Sequence, residues 1–135
     1  MVDLVARVAA TEKVVARFRD RPFDWASRST CIHLARAQAR AMGHRPPSIP
    51  DFRSPIGART ALRSTGFDSL EALLDSLFER IPPAAMLVGD LGLMEGEPPF
   101  DGIVIGAGGK VIGYHQDAVG LAPIAHPQIK AAWRL

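Results

Sequence analysis

Cysteine occurs once in the 135 residues, at Cys31. A single cysteine excludes an internal disulfide framework and suits a protein assembled in a reducing cytoplasm. Long apolar runs are also missing. Asp3, Arg7, Glu12 and Lys13 interrupt the N-terminal segment, so it lacks the apolar core of a signal peptide. The apolar run at 84–88 is far too short to span a membrane. His and Cys show no metal-ligand spacing, and no cofactor is expected. Gly106-Ala107-Gly108-Gly109 is not a phosphate loop, because a strand pattern and not a helix follows it. The arginines are not interleaved with aromatics and no nucleic-acid motif is present, so nucleic acid is not the expected partner.

What is present fits one domain over residues 1–135. At 47% hydrophobic the chain can bury a real core. Its net charge of +2 conceals a split. Residues 1–65 hold twelve Lys/Arg and five Asp/Glu, and residues 66–135 hold four and nine. Either the fold interleaves the halves and the field averages out, or opposite faces support assembly.

The first half reads as helices. Asp3 can cap a helix with Leu4, Val5, Val8, Val15 and Phe18 on one face, with a possible break near Thr11 and an end before Pro22. Ser29 and Thr30 are strong N-cap residues for a helix from Cys31 to Met42, stopped by Gly43. Its apolar stripe is Cys31, Leu34, Ala35, Ala39 and Met42. Residues 44–56 contain four prolines and read as a loop, either the rim of a groove or a contact surface. A short helix over 57–65 follows, then one capped by Asp68 with Leu70, Leu73, Leu74, Leu77 and Phe78 inward. After Pro83 the period changes to two. Strands are expected at 86–88 or 91–94, then at 102–107, 111–114 and 118–124, with a Gly108-Gly109 hairpin turn. Pro127 is read as starting a final helical turn, with Trp133 tucked on the core. Helices followed by an antiparallel sheet indicate an α+β domain.

Cys31 is the chemically interesting residue. The positive end of a helix favours a thiolate, which makes a lone cysteine there a candidate nucleophile. The plainer reading is a small apolar residue opening a buried stripe.

Several features, taken in order, resemble the NlpC-type cysteine peptidases, a papain-like group that cuts peptidoglycan stem peptides. Trp25 precedes Cys31 at a helix start, Gly89-Asp90-Leu91 would open the sheet, and a strand carries Phe100-Asp101-Gly102-Ile103-Val104-Ile105-Gly106. The Phe23-x-Trp25 opening and the Ala132-Trp133-Arg134-Leu135 ending are similar to small phage and prophage proteins encoded among tail genes. The resemblance implies a papain-like α+β fold, with N-terminal helices packed on a C-terminal antiparallel sheet. It also implies a virion-tail location after synthesis in the host cytoplasm. The implied partners are other tail proteins of the tip or baseplate hub, and peptidoglycan.

The catalytic pattern departs from that family. Phe100 stands where the family histidine opens its strand, Gly113 where its third polar residue lies, Thr30 where its Asp precedes Cys, and Ile32 where its Ser follows. A cysteine hydrolase needs a base within hydrogen-bond reach of sulfur. His33 is turned about 200° around the helix from Cys31, and His44 lies about 20 Å along it. His126 precedes Pro127 in a terminal loop. His115, two residues beyond Gly113 on the same strand face, is the remaining candidate base. The expected function is therefore a tail-tip or baseplate component with a degenerate site built around Cys31 and His115. The alternative is an active cysteine peptidase or amidase that opens peptidoglycan during infection.

Overall fold

The computed structural model describes residues 3–96, 100–114, 120–125 and 127–135. Four α-helices come first: α1 (Leu4–Phe18), α2 (Cys31–Ala41), α3 (Pro55–Ser64) and α4 (Leu70–Leu77). Six strands follow: β1 (Glu79–Ile81), β2 (Leu91–Met94), β3 (Gly102–Gly106), β4 (Lys110–Tyr114), β5 (Leu121–Ala125) and β6 (Ala131–Arg134). They form one sheet in the order β1-β6-β2-β3-β4-β5, antiparallel at every pairing. The chain is thus α+β, helices before sheet, as its periodicity implies.

Caps set the helix starts. Asp3 accepts from the Ala6 N–H, Thr30 from Ile32 and His33, Ser54 from Gly57, and Ser69 from Ala72. Ser69, not Asp68, caps α4, because its oxygen lies three residues ahead of a free helical N–H. Pro55 at the first turn of α3 gives up no hydrogen bond there.

One face of the sheet carries the core. Leu91 pairs with Ile105, Leu93 with Ile103, and Leu91 also with Trp133, so these side chains share a face. They join Leu34, Ala35, Leu62, Leu70 and Leu74 from the helices in one cluster. Each such aliphatic side chain contributes about 1.5–3 kcal/mol on burial. Helix α2 lies on β3, and α1 lies on α2.

Three expectations fail for tertiary reasons. The segment after Pro127 is strand β6, not a helical turn; it fills the slot between β1 and β2, where Ala131, Ala132 and Trp133 are fully enclosed. Strand β1 escapes sequence reading because it is three residues long and pairs only with β6. Helix α1 buries Arg7, Thr11, Val14 and Phe18, of which only Phe18 belongs to the stripe read from the sequence. Leu4 is 53% exposed and Val5 81%. Nor does α1 break at Thr11, whose hydroxyl donates to the Arg7 carbonyl at 2.8 Å.

The reason for the rotated α1 is Asp90. This carboxylate is fully buried at the mouth of β2. It accepts from the Arg7 and Arg134 guanidinium groups and from the Leu87 and Leu135 backbone N–H groups. Arg7 also donates to the carbonyl oxygens of Val88 and Leu135, each at 2.8 Å. A second polar thread runs alongside, with Gln38 Nε2 donating to Thr11 Oγ1 at 3.0 Å and to the Gly89 carbonyl at 3.1 Å. Gly89 has φ +92°, and a Cβ there would lie 3.0 Å from both Thr11 and Met42, so the turn into β2 requires glycine.

Candidate functional site

The loop before α2 is short and closed on itself. Asp24 and Ser29 exchange backbone hydrogen bonds of 2.9 and 3.3 Å. Between them Asp24 accepts from the Ala26 N–H at 3.0 Å and the Ser27 hydroxyl at 2.9 Å. Those bonds hold its carboxyl below the usual range. Arg28 closes the turn at φ 59°, a left-handed conformation uncommon for a residue with a side chain. The loop delivers Ser29 and Thr30, both buried, to the start of α2.

Thr30 then does two jobs. Its Oγ1 accepts from the Ile32 and His33 N–H groups at 3.2 and 3.4 Å. It also lies 2.9 Å from His33 Nδ1. With both helical donors already directed at it, the hydroxyl has its own proton to give, which assigns the neutral ring's proton to Nε2. Burial, and then the positive charges of Arg28 and Arg36, hold the His33 pKa below its ordinary value. His33 is therefore anchored through Nδ1 to the cap of its own helix.

Cys31 opens α2 with 7% of its surface exposed. Burial pushes its thiol pKa up, and the backbone N–H groups of Ile103, Cys31 and Ile32 only partly oppose this. The thiolate-favouring end of the helix loses to desolvation. Among the described residues no histidine ring is one of the groups bearing on the sulfur. His44 packs edge-on against Phe78 at 5.1 Å, at the far end of the helix. His115 and His126 lie outside the described residues.

Beside the start of α2 the chain places aromatic rings. Phe23 packs edge-on against Trp25 and against Tyr114, each at 5.3 Å between centroids. Trp25 in turn lies 5.7 Å from Phe100 and 6.1 Å from Phe52, and Phe52 lies 5.3 Å from His33. The row thus runs from Tyr114 across the mouth of α2 to His33. Tyr114 is tied down through its hydroxyl, 3.1 Å from Ser29 Oγ. Phe100 is a half-buried member of this row. Trp25 is half-buried and Phe23 is 41% exposed, so the aromatics roof the start of α2 more than they underlie it. The phenylalanine and tryptophan rings supply no proton acceptor, and burial already raises the cost of a Cys31 thiolate. Sequence reading found Cys31, Trp25 and Phe100. It missed Tyr114 and Phe52, whose only sequence signal is their aromaticity.

The other acidic candidates are occupied. Asp90 holds buried Arg7 and half-buried Arg134, and Asp101 accepts from Lys130 at 2.9 Å. Among the described residues no group of three or more His, Cys, Asp or Glu is placed to hold a metal. No helix among them is long and apolar enough to cross a membrane.

Beside the aromatic row lies a groove. The proline-rich loop forms its outer wall, ending at 54 because Pro55 already starts α3; α2, α3 and α4 form its floor and sides, and Ile103 of β3 also lines it. Its volume is about 330 Å³. Of the two roles open to this loop in the sequence, the rim of a groove is the one the geometry displays.

No curated protein matches the chain. The family model described as a domain of unknown function, DUF6950, matches residues 6–135, nearly the whole of the fold described above, and the chain belongs to that family.

Proposed function

We propose that this protein is a structural component of a bacteriophage or prophage tail tip or baseplate, with a papain-like, NlpC-type fold and a degenerate catalytic site. The observation that carries the reading is the pairing of a helix-opening cysteine with an aromatic roof. Cys31 keeps the nucleophile's place at the start of a helix laid on the sheet, yet its thiol is buried and Phe100 packs on Trp25 where a base would stand. Acyl transfer by cysteine needs a general base, and removing one costs several powers of ten in rate. A domain that keeps the frame and loses the base is suited to binding and assembly. Its partners are other tail proteins, with peptidoglycan as the surface met during infection, and it is made in the host cytoplasm before joining the virion.

The test has two arms. The protein should copurify with tail-tip or baseplate proteins when they are expressed together, and the purified protein should not cleave muropeptides. Cleavage that Cys31→Ala and His115→Ala both abolish would overturn the reading and establish a rearranged cysteine peptidase.

A further inference from the structure

The groove under the proline-rich loop has one charged residue in its lining. Its walls are apolar, with Pro47, Ile49, Phe52, Leu70, Leu74 and Phe78 prominent. Of the polar residues that line it, Thr65 and Ser76 turn their hydroxyls to carbonyls of their own helices, Leu62 and Leu73, at 2.6 Å. Arg36 is the charged one, and no carboxylate lines the space. Arg36 Nε donates to the Pro47 carbonyl at 3.0 Å, which fixes the guanidinium at the loop. Its two terminal nitrogens have no carboxylate partner among the described residues.

An apolar groove of this size, lined by leucine and phenylalanine, favours an occupant whose hydrocarbon replaces the water in it. Its volume of about 330 Å³ sits at the small end of the ligand-site range, roughly 300–1,000 Å³. Proline at 46, 47 and 50 limits the ways the loop can fold inward to close it. The occupant must therefore be mostly hydrocarbon, slender, and anionic at one end.

We propose that this groove binds a medium-chain carboxylate, its hydrocarbon chain among Leu70, Leu74 and Phe52 and its carboxylate on the terminal nitrogens of Arg36. Arginine presents paired donors that match a carboxylate, and a dry wall beside it strengthens the bond. The site is separate from the reading of the protein as a tail component and stands or falls without it.

The experiment is titration of the full chain with decanoate, followed by calorimetry and by Trp25 fluorescence, since Trp25 lies 6.1 Å from the Phe52 wall. Each methylene withdrawn from water contributes about fourfold in affinity. Decanoate should bind saturably at one site and at least about a hundredfold more tightly than butyrate. Decyltrimethylammonium, with the same chain and the opposite charge, should bind at least about tenfold more weakly than decanoate. Arg36→Gln should weaken decanoate about five- to tenfold, and Ala61→Phe, which fills the space, should abolish its binding. The proposal is overturned if decanoate shows no saturable binding up to about 1 mM. It is overturned equally if the cationic probe binds as well as decanoate, or if folded Ala61→Phe binds decanoate unchanged. The comparison among the three probes uses the unaltered protein and so does not depend on how either variant folds.

Discussion

Replacing Asp90 by Asn removes one charge and leaves the volume nearly unchanged. The wild-type carboxylate is fully buried and receives four donors, two of them guanidinium groups. Arg7, with 8% of its side chain exposed, has no route to water when its counter-charge is lost. Breaking a buried pair by removing one partner costs about 3–5 kcal/mol, because the other charge stays buried without compensation. A domain of this size has roughly 5–15 kcal/mol in all, so Asp90→Asn should lose at least about a fifth of the total. Urea unfolding followed by far-ultraviolet circular dichroism reads this directly. With a slope of about 1–3 kcal/mol per molar, the midpoint should fall by roughly 2 M. Arg134 is 28% exposed on its side chain and can rehydrate, so Arg134→Gln should cost much less, about 1 kcal/mol. Adding Arg7→Met to Asp90→Asn should restore part of the loss, since it deletes the stranded cation. A loss below about 1 kcal/mol for Asp90→Asn, or a double variant weaker than the single one by the full cost of Arg7→Met, would refute the account of Asp90 as the anchor of α1.

The remaining expectations follow from the same geometry. Cys31 should alkylate slowly with iodoacetamide, with a pH midpoint above about 8.5, the free-thiol value; a fast reaction with a lower midpoint would reinstate it as a nucleophile. The same upward displacement means the unfolded chain ionises first, so the stability held by Cys31 is complete below about pH 8.5 and declines as pH rises beyond it. His33 works in the opposite direction. Its folded pKa is depressed, so the unfolded chain takes up the proton first and stability should fall as pH drops below about 6.5. His33→Gln should flatten that slope, and an unchanged slope would remove His33 as its source. Gly113→Ala should cost about 1–3 kcal/mol, because a Cβ there would meet Val104 Cγ1 at 2.6 Å; a thermal midpoint equal to that of the parent would show that the sheet yields at this point.

The helices and most of the strands were legible because their signals are local. Thr30 before Cys31 and Leu70 with Leu74 at helical spacing need nothing beyond the chain nearby, whereas α3 starts at Pro55, inside the stretch read as loop. The Gly108-Gly109 turn likewise falls where the pattern places it, with Gly108 at φ +86° and Ala107 bonded to Lys110. The inward face of α1 was not legible. Two stripes share its period, and Leu4, Val5 and Val8 look more apolar than Arg7 and Thr11. A carboxylate 83 residues away decides between them. Strand β6 was hidden for a similar reason, since 131–134 becomes strand through β1 on one side and β2 on the other.

At the candidate site the division is similar. Sequence alone places Cys31 at the start of a helix and puts no histidine at position 100, because both statements concern residue type and short spacing. That the thiol is buried, that Phe23, Trp25, Phe52, Phe100 and Tyr114 form one row beside the start of α2, and that Arg36 is the one charge among the described residues lining an apolar groove were decided by tertiary structure. Those residues come from three loops, one helix and one strand. Short-range propensity can set each segment's conformation, but only the packing of helices on the sheet sets the distances between side chains far apart in the chain, and those distances determine whether a cysteine is a nucleophile or part of a core.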